Sequence, residues 1–354
     1  MTRVAIIGGG VAGLTAAAHL APDYDVTVFE AEEHIGYHAS GRSAAMFEEN
    51  YGNEAVRALN RASRAYLEDS DVLSPRGFLM VALPDQAELF EADRLEMGLN
   101  NVSVDDARAR VPILSQDVTH AATHDGAMDI DTDRLLQVYA SQVTSNGGRI
   151  QRKTPVIQAE QRPDGWYLQT QQRAEQFDVV VNAAGAWADE FARNSGVEPI
   201  GLQPFRRSMA RMPAPGGHDV SRWPMLFGPG ESWYAKPDAG GWIVSPAEED
   251  SSPPMDAWAD DLVIAEGIDR YQAHVIEPVT KVETTWAGLR TFAPDRSLVI
   301  GPDPNTDGYF WCAGQGGYGF QTSPAAGRLL ADLIAGRKPG LSTEFVDALA
   351  PSRF

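Results

Sequence analysis

The sequence is poor in cysteine and in positive charge. It has one cysteine in 354 residues, Cys312, so no disulfide can form within the chain, and a reducing cytoplasm fits best. Lysine and arginine number 29 against 49 aspartate and glutamate residues, which gives a formal net charge of −20 at pH 7. Such a polyanion repels phosphate backbones, and no local basic patch offsets this. Nucleic acid and anionic membrane surfaces are therefore not expected as partners.

Long uninterrupted apolar runs are also missing. The apolar start, residues 4–18, contains four glycines and falls short of the roughly 18 apolar residues that a membrane span needs. We therefore interpret it as part of the mature fold and expect no stable membrane insertion. The chain is 43% hydrophobic and 22% charged, as expected for a globular protein. At about 150 residues per domain, its length favours about two domains.

Two patterns of hydrophobic residues predict the fold class, which is α/β. Arg3–Ile7 is an apolar strand, Val11–Leu20 an alanine-rich helix and residues 26–29 a second buried strand, which together predict a βαβ unit of a parallel sheet. Residues 199–291 instead contain short alternating segments between Pro and Gly turns, which is typical of antiparallel strands. Further predicted elements are helices at 53–68, 131–146, 184–194 and 261–274, strands at 177–182 and Tyr309–Ala313, and a last helix ending near residue 335.

A glycine-rich motif stands between the first strand and the first helix. Gly8, Gly10 and Gly13 supply Gly-x-Gly-x-x-Gly, and Glu30 ends the second strand. This is the dinucleotide-binding fingerprint in its required context: the glycines allow a tight turn, close approach of a pyrophosphate and close packing of helix on strand. The helix N-terminus offers N–H groups to the phosphates. Glu30 can bind an adenosine ribose and would repel a 2′-phosphate, so NADP is disfavoured, while NAD and FAD remain open.

Two further segments of small residues favour the longer cofactor. Residues 36–45, Gly-Tyr-His-Ala-Ser-Gly-Arg-Ser-Ala-Ala, form a loop suited to closing over a pyrophosphate and a flat ring. The second glycine cluster, residues 314–319 (Gly-Gln-Gly-Gly-Tyr-Gly), precedes the last helix and offers another helix N-terminus. Two such surfaces suit an extended cofactor such as FAD.

Together with Val-Val-Val-Asn-Ala-Ala-Gly-Ala-Trp at 179–187 and Trp-Ala-Gly-Leu-Arg at 286–290, these motifs resemble the FAD-dependent D-amino-acid oxidases and dehydrogenases, a glycine-oxidase-like family. The resemblance covers essentially the whole chain and is greatest to bacterial D-arginine dehydrogenases. It implies FAD held by the fingerprint domain, hydride transfer from the α-carbon of a D-amino acid to flavin N5, and hydrolysis of the imino acid to a 2-oxo acid. We expect the FAD to be bound non-covalently. We expect a Rossmann-type FAD-binding domain from residues 1–74, 130–195 and 291–354, and a substrate-binding domain with a mainly antiparallel sheet from 75–129 and 196–290.

The resemblance also implies site residues. A substrate carboxylate needs a cation, and arginine can bind it bidentately; Arg290 matches the family's carboxylate clamp. Tyr51 and Tyr234 match tyrosines that hydrogen-bond this carboxylate or shape a lid, Arg207 matches a further pocket arginine, and the Gly317 carbonyl can orient the amine. The expected cofactor-binding residues are Gly8, Gly10, Val11, Ala12, Gly13, Glu30, Ala31, Ser40, Gly41, Arg42, Ser43, Ala44, Val156, Ala184, Gly185, Trp187, Gly314, Gly316, Gly317, Tyr318 and Gly319.

One departure from the arginine-preferring enzymes bears on the substrate. They carry an acidic residue just after Ser-Pro-Arg, whereas residues 74–80 here read Ser-Pro-Arg-Gly-Phe-Leu-Met. Without that charge partner, a basic substrate should lose several kcal/mol of binding free energy. Phe78 and Met46 would favour apolar substrate side chains. We therefore predict a neutral or hydrophobic substrate, unless Glu48 or Glu49 restores an acidic wall.

Several alternatives stay open. His120 and His124 lack a third ligand, so no metal is expected, and Cys312 lies in an apolar strand, which favours a structural thiol over a covalent link to flavin. The same scaffold could oxidise glycine, sarcosine, another N-alkyl amino acid or a 2-hydroxy acid. A non-catalytic dinucleotide-binding protein is the alternative of another class. The electron acceptor, oxygen or a quinone, and the oligomeric state, a monomer or a small homo-oligomer, are not set by the sequence.

Overall fold

The computed structural model describes residues 1–170 and 173–354. Over these residues the helices are α1 Val11–Leu20, α2 Glu54–Asp69, α3 Ala87–Glu96, α4 Val104–Arg110, α5 Thr132–Ser145, α6 Ala188–Asn194, α7 Asp261–Gln272, α8 Gly319–Ile334 and α9 Thr343–Leu349. The strands are β1 Arg3–Ile7, β2 Asp25–Phe29, β3 Met46–Phe47, β4 Leu73–Pro75, β5 Phe78–Ala82, β6 Asn100–Asn101, β7 His120–His124, β8 Met128–Ile130, β9 Arg149–Gln151, β10 Val156–Arg162, β11 Gly165–Thr170, β12 Ala174–Phe177, β13 Val179–Asn182, β14 Gln203–Met212, β15 Met225–Phe227, β16 Tyr234–Asp238, β17 Gly241–Ser245, β18 Asp250–Ser251, β19 Thr284–Phe292, β20 Val299–Pro302 and β21 Tyr309–Ala313. None of the helices described in these ranges is long and apolar enough to cross a membrane.

A six-stranded sheet carries the fingerprint motif. Its order is β20-β21-β13-β1-β2-β9, with every neighbouring pair parallel except β20 and β21. Val4 and Ile6 pack in the core with α1, α5 and α8, whereas Ala5 and Ile7 pack with α6 and the small β10-β11-β12 sheet. Both faces are thus covered, which explains why β1 is an unbroken apolar run.

A nine-stranded, mainly antiparallel sheet forms the other layer. Its order is β18-β14-β17-β16-β15-β5-β7-β6, with β19 also paired to β14, and only β5 and β15 run parallel. The mixed α/β fold with a Rossmann-type sheet is therefore confirmed. The strands of the two large sheets lie within the stretches predicted for the two domains, except that β19 continues to Phe292, past the predicted boundary at residue 290. The domain boundaries themselves stay a prediction.

The long pairing of β14 with β19 positions the site. Phe205 lies opposite Arg290, Arg207 opposite Gly288 and Met209 opposite Trp286. Directly opposite residues, and residues two apart along a strand, point to the same face of a sheet. This register therefore places the Arg207, Met209 and Arg290 side chains on one face.

The structure differs from the sequence prediction at two places. The single strand predicted at 177–182 is interrupted at Asp178, whose N–H donates to the Arg3 carbonyl and whose carboxylate accepts from the Arg3 N–H, at 2.9 and 2.7 Å. The chain passes there from the small sheet to the six-stranded sheet. The helix predicted at 184–194 starts as a single 3₁₀ turn, Gly185–Trp187, followed by α6. In contrast, α2 begins as predicted, because the Asn53 side chain accepts a hydrogen bond from the Val56 N–H at 3.1 Å.

Candidate active site

A cavity of about 520 Å³ is lined by residues of both large sheets and their loops. The fingerprint turn between β1 and α1 forms one wall, and the residues from Gly288 to Thr291 on β19 form the facing wall. Glu30 and the residues from Thr154 to Val156 lie in the wall near the end of β2. A cavity of this size and mixed lining suits a cofactor together with a small substrate.

The fingerprint glycines have the close contacts that the motif requires. Gly8 has a φ of 108°, and a Cβ there would lie 2.4 Å from the Ala183 carbonyl oxygen. A Cβ on Gly13 would lie 1.9 Å from the Gly8 carbonyl oxygen. Helix α1 therefore packs against the turn so closely that only hydrogen fits at these positions, which leaves its N-terminus facing the cavity.

The acidic residue at the end of β2 is held in place by backbone N–H groups. Glu30 is 8% exposed, and its two carboxylate oxygens accept from the N–H groups of Gly9 at 2.9 Å and Glu32 at 2.8 Å. An ionised carboxylate offers about four acceptor positions, so both oxygens can also accept from a ribose hydroxyl. This is the geometry expected for a bound adenosine.

Most of the predicted residues line this single cavity. Those in its wall are Gly8, Gly10, Val11, Ala12, Glu30, Ala31, Ser40, Arg42, Ser43, Ala44, Val156, Ala184, Gly185, Trp187, Arg207, Arg290, Gly316, Gly317 and Gly319. Outside the wall are Gly13, Gly41, Gly314, Tyr318, Tyr51 and Tyr234. Loop 36–45 packs on the fingerprint turn: the N–H of Gly36 donates to the Gly9 carbonyl at 2.9 Å, and the N–H of Val11 donates to Ser40 Oγ at 3.0 Å.

Buried polar atoms in the wall show that the cavity fits a polar ligand. Gln321 Nε2 and His38 Nδ1 belong to wall residues, are buried and have no hydrogen-bond partner within the described chain. The Gln321 amide is oriented, because its Oε1 accepts from the Glu48 N–H at 3.1 Å. Leaving such groups unpaired costs about 1–3 kcal/mol each, so a ligand with matching donors and acceptors, such as FAD, would stabilise the site.

Arg290 is the cation at the cavity end of β19. Throughout residues 1–170 and 173–354, its guanidinium has no ion pair and no hydrogen bond to another residue, and it lies in the cavity wall. Burial lowers the pKa of this guanidinium, but Coulombic interactions with neighbouring groups, led by Tyr51 and Tyr234, outweigh burial and raise the pKa above its usual value. Arg290 is therefore a permanent, unpaired positive charge.

Two tyrosines lie near Arg290, behind the cavity wall. The Tyr51 ring packs edge to face on Tyr318 at 5.2 Å between centroids. Burial, and next the Glu231 carboxylate, raise the pKa of Tyr51 well above its usual value, so its hydroxyl stays protonated. The Tyr234 hydroxyl donates to Met209 Sδ at 3.3 Å. The Tyr51 hydroxyl is therefore a neutral donor beside the arginine.

Arg207 differs from Arg290, because it already has partners. Its side chain is 4% exposed; Nε donates to the Glu248 carbonyl at 3.0 Å and Nη2 to Glu249 Oε1 at 3.2 Å. Glu231 Oε2 lies 3.8 Å from Nη1, and Glu249 also pairs with Arg296 at 2.9 Å. The positive charge of Arg207 is thus neutralised by carboxylates that the sequence analysis did not identify.

Arg42, which was expected at the cofactor, also has protein partners. Its Nη1 donates to the Ala257 carbonyl at 2.9 Å and the Ala287 carbonyl at 3.0 Å, and its Nη2 donates to Asp256 at 2.5 Å. The guanidinium therefore joins loop 36–45 to residues 256–257 and to β19.

The acidic wall that Glu48 or Glu49 could have restored does not form. Glu48 pairs with His124 at 2.6 Å and Glu49 with Arg64 at 3.0 Å, and neither lines the cavity. Cys312 is fully buried, its Sγ lies 3.7 Å from the Ala12 carbonyl, and burial raises the pKa of its thiol to about 12. In the part of the chain that the structure describes, no group of three or more His, Cys, Asp or Glu residues could hold a metal.

Several wall residues were missed from the sequence. They include Met209, Met255, Ala257, Thr154 and Gln321. Only Gln321 could have been predicted from the sequence, because it lies in the first turn of the helix that follows the second glycine cluster. The others reach the cavity through strand register or long-range loop packing, which the local pattern does not show.

Comparisons with known proteins agree with this geometry. Residues 3–333 match the family described as DAO, FAD dependent oxidoreductase. Glycine oxidase from Pseudomonas putida is 26% identical over 361 residues, with 95% of each chain covered. Among solved structures, L-proline dehydrogenase from P. horikoshii has a TM-score of 0.84 at 22% identity and covers 100% of this chain and 97% of that one. Glycine oxidase from Geobacillus kaustophilus has a TM-score of 0.83 at 22% identity and covers 98% of both. The two structures support the fold, and the family match identifies FAD as the cofactor: the chain belongs to the DAO family of FAD-dependent oxidoreductases.

Proposed function

We propose that this protein oxidises a D-amino acid with a neutral or hydrophobic side chain to the imino acid, which hydrolyses to the 2-oxo acid. The observation that carries the proposal is Arg290, whose guanidinium lies in the cavity wall and has no ion pair or hydrogen bond among the residues that the structure describes. In a protein of net charge −20, an arginine without a carboxylate partner is available for a carboxylate from outside the chain.

The residues around Arg290 give the substrate its orientation. The guanidinium binds the α-carboxylate bidentately, and the protonated hydroxyl of Tyr51 adds a donor from behind. Tyr234 donates to Met209 Sδ and so shapes the pocket behind the clamp. A Cβ on Gly317 would lie 3.0 Å from Arg290 Nη1, so the chain passes close to the clamp and its carbonyl can accept from the substrate amine. Bound FAD supplies the hydride acceptor, and the chain contributes mainly alignment and exclusion of water.

The wall next to the clamp favours an uncharged side chain. Ala44, Ala45, Met46 and Met209 line the cavity, and no carboxylate of Glu48 or Glu49 reaches it. Arg207 and Arg296 pair with the carboxylates of Glu231 and Glu249, so these two positive charges are already compensated. A basic side chain would add a further positive charge beside Arg290, and neither Glu48 nor Glu49 lines the cavity to compensate it.

A second candidate is the same reaction on glycine or an N-alkyl amino acid. It is supported by the likeness to proteins named glycine oxidase over nearly the whole chain and by the fold shared with an L-proline dehydrogenase. The same clamp would bind these substrates, because they carry the same carboxylate. A 2-hydroxy acid would also fit the clamp, but it has no amine for the Gly317 carbonyl.

Anaerobic reduction of the bound flavin by a substrate panel tests the proposal. We expect D-leucine and D-methionine to bleach the flavin faster, at equal concentration, than D-arginine, glycine, sarcosine, D-lactate and L-leucine. Preference for D-arginine would refute the neutral side chain, and preference for glycine or sarcosine would favour the second candidate. A flavin that none of these compounds reduces would indicate a non-catalytic protein. Comparing the rates of flavin reoxidation by oxygen and by a soluble quinone then identifies the electron acceptor. The cytoplasmic location and the oligomeric state, a monomer or a small homo-oligomer, stay predictions.

A further inference from the structure

We propose that Arg42 and Asp256 form a clasp that closes residues 252–258, the covering segment, over bound FAD and thereby retains the cofactor. Arg42 was expected to contact the cofactor directly, yet its Nη1 and Nη2 groups are directed at protein oxygens. The inference depends on FAD binding and not on which substrate is oxidised.

The contacts of Arg42 leave little of the guanidinium for a phosphate. Nη1 donates to the carbonyls of Ala257 and Ala287, and Nη2 donates to Asp256. These bonds engage three of the five N–H groups of the side chain. The Asp256 carboxylate compensates the positive charge that would attract a phosphate and would itself repel one. Arg42 is therefore better suited to hold the covering segment than to bind the pyrophosphate.

The covering segment and loop 36–45 face the cofactor together. Met255 and Ala257 of the segment line the same cavity as Tyr37 and His38 of the loop. Tyr37 and His38 also approach the clasp, since the Tyr37 hydroxyl lies 3.4 Å and His38 Nδ1 3.9 Å from Asp256. Bound FAD would thus lie against two wall segments that Arg42 joins to each other.

The base of the clasp is anchored to the nine-stranded sheet. The Trp286 Nε1–H donates to the Arg42 carbonyl at 3.1 Å, and Arg42 in turn binds the Ala287 carbonyl on the same strand, β19. Arg42 is 16% exposed and Asp256 59% exposed. The base is therefore fixed, whereas the Asp256 side is open to water and is the side that can release.

The test is the rate at which holoenzyme loses FAD, followed by the rise in flavin fluorescence after dilution into buffer without FAD. We expect Arg42→Met to raise this rate by about tenfold, because it removes the ion pair and two hydrogen bonds to backbone carbonyls. Asp256→Asn removes only the partly exposed ion pair and should raise the rate by about three- to fivefold. The double variant should be no faster than Arg42→Met alone, because both changes open the same clasp. Asp250→Asn is the matched control. Asp250 is an exposed acidic residue close to the covering segment in sequence, and it pairs with Arg206. Removing its charge should leave the rate of FAD loss unchanged.

The opposite pattern would overturn the clasp. If Arg42 binds the pyrophosphate, Arg42→Met will release FAD faster, while Asp256→Asn will leave the rate unchanged or lower it by removing a competing carboxylate. If Arg42→Met fails to fold, Asp256→Asn alone decides, because an exposed carboxylate can be changed without loss of the fold. Raised salt should speed FAD loss from the wild type and not from Asp256→Asn.

Discussion

Replacing Arg290 by glutamine gives the most direct test of the substrate clamp. The change removes the one cavity arginine that has no partner within the described residues, while it keeps a side chain of similar length. Two charge-assisted hydrogen bonds to a carboxylate would be lost, at about 1.5–3 kcal/mol each. Allowing for the hydrogen bonds that glutamine can still donate, the loss is about 3–5 kcal/mol of transition-state binding.

That free energy converts into a large effect on rate. At about 1.4 kcal/mol for each factor of ten, we expect kcat/KM for flavin reduction to fall about 100-fold to a few thousandfold in Arg290→Gln. Arg290→Lys keeps the charge but loses the planar fork, so its fall should be about 10- to 100-fold. Because the pKa of Arg290 is raised, neither effect should vanish between pH 6 and pH 10.

The assay is anaerobic stopped-flow reduction of the flavin over a range of substrate concentrations, with the FAD content of each variant taken from its visible spectrum. Arg206→Gln is the matched control, since Arg206 is next to Arg207 on β14, points to the other face and pairs with Asp250. If Arg290→Gln keeps its FAD and loses less than about threefold in kcat/KM, the carboxylate is bound elsewhere and the clamp assignment is wrong.

Two further predictions concern the FAD side of the molecule. Gly13→Ala should lose FAD and unfold at a lower temperature, because its Cβ would lie 1.9 Å from the Gly8 carbonyl oxygen; retention of wild-type FAD content and Tm would contradict the close packing. The Cys312 thiol should resist alkylation at pH 8 in the native protein, because burial raises its pKa to about 12 and leaves almost no thiolate. The thiol should react once the protein is unfolded, and FAD should then be released intact. Flavin that stays attached to the denatured chain would instead show a covalent link.

The parts of the fold that could be predicted from the sequence are those encoded locally. The β1-α1-β2 unit, its glycine turn and the Asn53 cap of α2 each depend on residues within a few positions of one another. The interruption of the strand at Asp178 could not be predicted from the local sequence. It depends on hydrogen bonds with Arg3, which is far from Asp178 along the chain. Strand ends of this kind are set by tertiary contacts.

The arginines show the same limit within the site. In the sequence, Arg42, Arg207 and Arg290 are each a candidate cation near small or apolar residues. The role of each arginine depends on its partners. Arg42 pairs with Asp256, which lies 214 positions away in the sequence. Arg207 meets the Glu249 carboxylate through the loop that follows β17. Local composition carries no information about either pairing, so the sequence could propose three cations but could not identify the unpaired one.

The acidic composition explains why a cavity arginine with no partner among the described residues matters. With 49 acidic residues against 29 basic ones, most arginines acquire a carboxylate partner, as Arg42 and Arg207 do. Arg290 is instead flanked by Tyr51 and Tyr234, and the raised pKa of Tyr51 keeps that hydroxyl neutral, so it adds a donor without cancelling the charge. A carboxylate at either tyrosine position would fill the clamp from within the chain. Selectivity for an external carboxylate therefore depends on neutral neighbours as much as on the arginine, and Tyr51→Glu should weaken substrate binding more than Tyr51→Phe.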